Sequence, residues 1–507
     1  MPCLASCKAP HGRAMCGGNK SLGFVNCPSS PPQLLETSKS SDSGRLAVNM
    51  TATGPSPVIT DPSPLGSPLP FEFSGRTAPN RFLKSAATEK VATYDPNDRL
   101  SSGIPNDELF RLYGTWASGG FGTIVTGNIL IDPDHLEGPG NMIIPVDAPL
   151  DGPRFEGFRR LGSVGRQHGS LFIGQINHPG RQCVYALQPN PISASDVQLL
   201  VDMFGATFGK PRAATIEEIQ SIVAAFVHAA VYLDKAGWDG VQLHGAHGYL
   251  IAQFLSLTTN LRTDAYGGSL ANRARIITEI AAGIREQCRK GFILAIKINS
   301  VEFQADGFTV EEASELCEIL EKAGFDFVEL SGGTYEEMAL AHRRESTKAR
   351  EAFFLDFAEK IAPRLNKTKV YVTGGFRTAK GMADALQSVD GVGMVRAVCN
   401  NPNLPAEILE GKKTAAPVIA GGVYFDDFLL TGGLGGLQMR LMGHSLPVLN
   451  VEDDAEVEEF KKALESNLKG LVKGGLFENM DLGFLGARGP DVERRVRDIQ
   501  VSRATLC

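Results

Sequence analysis

The sequence predicts an α/β protein built on a (β/α)8 TIM barrel, with a disordered N-terminal leader before it and a helical C-terminal extension after it. Three observations carry this reading. Eight short β-branched runs alternate with long amphipathic stretches, the pattern of repeated βα units around a parallel sheet. The units occupy about 330 residues, within the size range of such barrels. No run is followed by the G-x-G-x-x-G that opens the first helix of a dinucleotide-binding open sheet, which disfavours a doubly wound alternative. Glycine, at 56 of 507 residues, exceeds the ~7% average, as a fold with many tight strand-to-helix turns requires.

The eight runs fall at residues 81–86, 123–129, 170–176, 240–244, 292–299, 327–331, 369–373 and 391–396. The stretches between them read as helices. The clearest are 215–236, with Thr215 as N-cap and Glu217 and Glu218 in the first turn, and 309–323, stopped by Gly324. Residues 1–70 are rich in Pro, Ser, Gly and Thr and show no apolar period, so they read as the leader. The barrel is assigned to 71–440 and the extension to 441–507. Within the extension, Val457, Phe460, Leu464, Leu468 and Leu471 form a helical stripe over 451–472. That stripe suits packing or self-association, so a homo-oligomer stays open, and the stretch from Phe477 carries no legible signal.

Fifty basic against 57 acidic residues leave a net charge of −7, which argues against a chain that binds nucleic acid by charge. The longest apolar runs, such as 292–298, are strand-length, so no membrane partner is expected. Nine cysteines are too few for a disulfide scaffold of this length. Cys3, Cys7, Cys16 and Cys27 crowd the leader, where free thiols are preferred over a metal site, and no metal is expected anywhere. This cysteine usage suits a reducing, cytoplasmic setting. The absence of acidic residues before Glu36 gives organelle import only weak support.

Chemistry in such a barrel gathers at the carboxyl ends of the strands. Those ends are rich in polar and glycine residues: Ser85-Ala86-Ala87-Thr88, Gly127-Asn128, Gln175, His244-Gly245-Ala246-His247-Gly248-Tyr249, Lys297, Ser331-Gly332-Gly333, Gly374-Gly375 and Arg396. His244 and His247, three apart on the turn that leaves a strand, can point at one atom; a metal pair or two satisfied loop histidines are the alternatives. Lys297 closes an apolar strand, where a lysine faces an anion, forms a Schiff base or snorkels to the rim. Gly374, Gly375 and Arg396 stand where barrels hold phosphate. A Schiff-base lyase using Lys297 therefore remains an alternative at this point.

Several of these segments resemble the Old Yellow Enzyme family of FMN-dependent NAD(P)H oxidoreductases, in its fungal-type form. The resemblance lies in Asn80-Arg81-Phe82-Leu83-Lys84-Ser85-Ala86-Ala87-Thr88, in Gln175-x-x-His178-x-Gly180-Arg181, in His244-Gly245-Ala246-His247-Gly248-Tyr249-Leu250, and in the run from Phe254 through Asn272-Arg273. It covers about residues 70–440 of the chain. The resemblance implies FMN as cofactor, NADH or NADPH as donor, and hydride delivery to an activated alkene or related electron-poor small molecule. A non-catalytic flavin-binding barrel is the weaker form of the same reading.

By the same resemblance, Ser85, Ala86, Ala87 and Thr88 wrap the flavin, with Thr88 near its C4 carbonyl. Gly127 leaves room for the ring, Gln175 bonds the pyrimidine edge and Lys297 lies near N1. Gly375, Val395 and Arg396 hold the phosphate. His244 and His247, with Gly245 and Ala246 between them, bind the substrate oxygen, and Tyr249 donates the proton. Three residues depart from the common pattern: Ala86-Ala87 replaces Pro-Met, Lys297 replaces arginine, and Val395 replaces a smaller residue. No iron–sulfur motif follows the barrel, unlike the dienoyl-CoA reductase branch.

Overall fold

The computed structural model describes residues 61–201, 207–302, 304, 307–337, 351–422 and 428–474. Most of the leader, its four cysteines and the stretch from Phe477 lie outside the described residues. Eight parallel strands close into a barrel: β1 (Phe82–Lys84), β2 (Thr123–Leu130), β3 (Leu171–Asn177), β4 (Gly240–Gly245), β5 (Ile293–Asn299), β6 (Phe327–Ser331), β7 (Lys369–Thr373) and β8 (Gly391–Met394). The register Val392 to Phe82 joins β8 to β1, and Leu83 to Thr123 joins β1 to β2. All eight runs expected from the sequence are therefore strands. Two end early: β1 stops at Lys84 rather than Ala86, and β8 stops at Met394, so Arg396 opens a short helix (Arg396–Asn400) instead of closing a strand.

The helices α1 (Asp107–Ala117), α2 (Gly152–Gly165), α3 (Ile216–Lys235), α4 (Arg275–Gln287), α5 (Val310–Lys322), α6 (Leu355–Ile361), α7 (Ala379–Ala385) and α8 (Phe428–Gly443) follow the strands in turn. At α3 and α5 the caps act as the sequence indicates. Thr215 accepts from the Glu218 amide and Thr309 from the Glu312 amide, each in a reciprocal capping box. Helix α3 is long and apolar enough by composition to cross a membrane, but its apolar stripe packs on β3, β4 and α4.

Strand residues alternate between two cores. Outward residues join the helices in the main cluster. Inward residues at the amino end, including Leu83, Val125, Ile173, Ile293 and Phe327, pack on an antiparallel hairpin formed by Leu69–Pro70 and Thr77–Ala78. Phe71 meets Phe327 with ring centroids 5.5 Å apart and plugs this end. The leader boundary at residue 70 thus falls too late, because Leu65 and Leu69 are already fully buried core residues.

The other boundary falls three residues early. Helix α8 runs through Gly443 and is the eighth barrel helix, packed on α1. Beyond it α9 (Asp454–Gly474) starts three residues later than the expected 451 and packs on α8. Val457, Phe460 and Leu464 bury against Leu434, Leu441 and Val451; the stripe residues Leu468 and Leu471 lie beyond the described side chains.

Candidate active site

With the amino end plugged, the carboxyl end is open. A cavity of about 360 Å³ lies there, and all eight strand ends contribute to its wall. Its size and mixed apolar and polar lining fit a small-molecule or cofactor site.

One end carries the histidines. His244 closes β4 and His247 sits on the turn after it at φ +58°, with ring centroids 5.2 Å apart. The Ala246 amide donates to His244 Nδ1 over 3.3 Å, which leaves the His244 proton on Nε2. His247 Nε2 pairs with Ser331 Oγ at 2.8 Å, and the His247 amide donates to Asn299. Burial lowers both pKa values, with Lys297 adding to each and His247 adding to that of His244; that of His247 falls to about 3. Both rings are neutral at physiological pH, and His244 has its Nε2–H to offer.

Tyr249 caps the short helix Leu250–Leu255, with its ring 4.5 Å from that of His244. Its hydroxyl lies 3.1 Å from that of Tyr335, a cavity residue on the β6–α6 loop. Burial, with nearby Glu137, pushes both phenols up, so both stay protonated. Glu336, next to Tyr335, ion-pairs with buried Arg181 and so fixes that loop to the end of β3. Glu137 itself reaches the cavity, where it accepts from Asn128 (2.7 Å) and Thr88 (3.3 Å) and pairs with Lys90 (3.3 Å).

The floor is a buried polar chain. Gln175 Nε2 donates to Gln242 Oε1 and Gln242 Nε2 to Glu329 Oε2, each at 2.7 Å. Glu329 Oε1 also accepts from Ser85 and, at 2.7 Å, from Thr373, and Lys297 Nζ lies 3.0 Å from it. Burial would raise the Glu329 pKa, but Lys297 and these three donors hold it below the ordinary carboxylate value. Lys297 lines the cavity, ion-paired with Glu329 and donating to Ser85 Oγ over 3.0 Å.

At the far end Gly374 and Gly375 take φ of +119° and +94°, which side chains avoid, and bring backbone to the cavity beside Val395 and Arg396. Arg396 donates to Thr431 on α8 over 3.0 Å. From the same helix Gly432, Gly435, Gly436 and Met439 line the wall. A Cβ at Gly435 would meet only Cys399 Sγ, at 3.9 Å, and would otherwise fill the cavity. The cavity therefore has a cradle, an anion-facing end and polar groups along its floor, and these residues fit a flavin mononucleotide.

Four expected site residues are placed differently. Gly127 lies off the cavity, because a Cβ there would clash with the Glu89 carboxylate and the Ala87 carbonyl; its role is packing rather than ring clearance. Ser85 turns its hydroxyl to Glu329, behind the wall. Gly245 and Ala246 are buried outside the lining, and Ala246 acts only through its amide on His244. Ala86, Ala87, Thr88, Gln175, His244, His247, Tyr249, Lys297, Gly375, Val395 and Arg396 do line the cavity. Sequence reasoning missed Glu329, Gln242, Tyr335, Glu137 and the α8 glycines.

Among the described residues one cluster has metal-like composition: Asp132, His135 and His178. It is a carboxylate clamp. The Ile192 amide donates to His135 Nε2 and the Gly180 amide to His178 Nδ1. The nitrogens facing Asp132 are therefore the protonated ones, with no lone pair for a metal.

Fold and site together define a class, a barrel oxidoreductase that holds a flavin at its carboxyl rim. The profile of the NADH:flavin oxidoreductase / NADH oxidase family matches residues 69–415, and the chain belongs to that family. It is 49% identical over 411 residues to the NADH-dependent flavin oxidoreductase nadA of Aspergillus parasiticus, covering 81% of this chain and 92% of that one. It is 37% identical to the NADH-dependent flavin oxidoreductase iccE of Talaromyces variabilis, covering 66% and 84%. Morphinone reductase in complex with tetrahydroNAD shares the fold at TM-score 0.56 and 23% identity, covering 70% of this chain and 92% of that one. The chain is thus an oxidoreductase with FMN as its flavin and NADH as its donor. A non-catalytic barrel is ruled out.

Proposed function

We propose that the protein is an ene-reductase-type enzyme that passes hydride from NADH, through FMN, to an activated alkene or a similar electron-poor acceptor. One observation carries the reading: two neutral, cavity-facing imidazoles that no carboxylate touches stand beside a protonated tyrosine. When bound, FMN supplies a carrier that accepts hydride from NADH and releases it to the acceptor.

The chain's residues supply the rest. Gln175 and Lys297 would meet the ring's polar edge, and Gly375, Val395 and Arg396 would hold the phosphate. The α8 glycines leave space along the wall. His244, through Nε2–H, and His247 hydrogen-bond the acceptor's oxygen and stabilise the negative charge that grows there. Tyr249 delivers a proton to the substrate carbon as general acid, and Tyr335 holds its hydroxyl in place.

The purified protein should be yellow and should bleach on anaerobic addition of NADH. Tyr249→Phe should leave that reduction rate near wild type and slow subsequent alkene reduction by ~10²–10⁴-fold, the usual contribution of a general acid. Stopped-flow measurement of the two half-reactions checks this. Equal slowing of both would remove Tyr249 from the role.

A further inference from the structure

We propose that Glu329 is a positioning residue that sets how readily the bound flavin accepts electrons, acting through Lys297 on one side and through Gln242 and Gln175 on the other. The proposal rests on the placement of FMN beside Lys297 given above.

Strand register brings the parts together. Lys297 on β5 is paired with Glu329 on β6 and with His244 on β4, and Gln175 on β3 is paired with Gln242 on β4. Glu329 points into the barrel but lies off the cavity, whereas Lys297 and Gln175 line it. The carboxylate is therefore behind the residues that meet the ligand.

Its first effect is on orientation. A carboxylate only accepts hydrogen bonds, so Gln242 must turn its NH2 group to Glu329. The Gln242 oxygen then faces Gln175 and takes that residue's N–H. This leaves the Gln175 oxygen as the group available to the cavity, an acceptor matched to a ring N–H. A neutral side chain at 329 would free both amides to rotate.

Its second effect is on charge. Hydride from NADH carries two electrons and one proton into the cofactor and NAD+ leaves, so the cavity gains one unit of negative charge. A lone cation at Lys297 would stabilise that charge strongly. With Glu329 Oε1 3.0 Å behind it, the pair is net neutral and acts as a dipole with its positive end toward the cavity. Glu329 therefore restrains the flavin's affinity for electrons.

The test is the midpoint potential of the FMN-loaded protein at pH 7, measured by equilibration with a reference dye. Glu329→Gln should retain FMN and shift the reduction equilibrium toward the reduced form by at least tenfold, a rise of about 30 mV for a two-electron couple. An unchanged or lower potential would overturn the proposal. If that variant does not fold, Glu329→Asp, which withdraws the charge by one methylene, should raise the potential by less, and an unchanged value there overturns the proposal equally. Lys297→Met separates the two levels of the argument. It should lower the potential; if it has no effect, the placement of FMN beside Lys297 is wrong and the role of Glu329 falls with it. A response to Lys297→Met with none to Glu329→Gln removes Glu329 alone.

Discussion

The barrel rim holds two pairs of imidazoles with similar ring spacing, one pair tilted by 35° and the other T-shaped at 78°, and with opposite uses. His135 and His178 lie with ring centroids 4.7 Å apart, and His244 and His247 lie 5.2 Å apart. In the first pair each ring accepts a backbone amide at one nitrogen and turns the other toward Asp132, at 2.7 Å for His135 and 3.8 Å for His178. His135 thus spends both ring nitrogens on the protein, while His178 Nε2 faces the Asp132 carboxylate from beyond hydrogen-bond distance. In the second pair only one nitrogen per ring has a protein partner, Ala246 N–H or Ser331 Oγ, and no carboxylate touches either ring. An imidazole becomes available for chemistry where its second nitrogen faces the cavity and not a carboxylate, and burial alone does not distinguish the two cases.

The largest effect should come from emptying the open pair. Loss of one oxyanion-type donor usually costs ~10²–10³ in rate. His244→Ala with His247→Ala should slow the acceptor half-reaction at least that much and weaken binding of phenolate-type ligands, while FMN stays bound. Loss of the flavin in this variant would place the histidines in cofactor binding and break the comparison.

Acid should act on His178 and on the open pair with the same sign. Burial lowers the His178 pKa to about 4, partly opposed by Asp132, and lowers those of His244 and His247 as well. The unfolded chain, with histidine near 6.5, binds protons that the folded one refuses between about pH 6.5 and 4. Stability from these groups is therefore complete above pH 6.5 and is lost as pH falls toward their folded values. Each contributes a slope of up to about 1.4 kcal/mol per pH unit in that window. Urea unfolding at pH 5 and pH 7 should show a smaller difference in the His244→Ala, His247→Ala variant than in wild type, because two of these groups are gone. An equal difference would mean that the open pair takes up protons as readily in the folded chain as in the unfolded one.

The two pairs were unequally legible. His244 and His247 stand out in sequence because both sit where a strand run ends in a glycine-rich turn. The barrel strands and helices α3 and α5 were readable for similar local reasons: β-branched runs bounded by turns, and complete capping boxes. Helix α8 was not, because Gly432, Gly433, Gly435 and Gly436 are poor helix formers and erase any apolar stripe, so packing on α1 must carry it. Glu329 and Gln242 each interrupt an apolar run with one polar residue. The available signal was parity: Gln242 lies two before His244 and Glu329 two before Ser331, on the same inward face. Tyr335 and Glu137 come from loops, where no period exists to betray them. Ser85 and Gly127 lie outside the cavity lining, which motif position alone does not reveal.

The smallest effect concerns how His247 is held. Its Nε2 is occupied by Ser331 Oγ at 2.8 Å, so it serves the cavity only through Nδ1. If the serine hydroxyl donates to Nε2, it holds the ring in the Nδ1–H tautomer that a substrate oxygen needs. Ser331→Ala removes that bias without touching His244 and alters the cavity wall by one hydroxyl. A neutral hydrogen bond is worth about 1 kcal/mol, so the acceptor half-reaction should slow by roughly fivefold. Ser331→Thr, which keeps a hydroxyl, should restore most of it. The same Ser331→Ala change made in a His247→Ala background should then cost nothing further, since the two residues act through one hydrogen bond. An additive loss would show that Ser331 meets the substrate directly, and the open pair would gain a third donor.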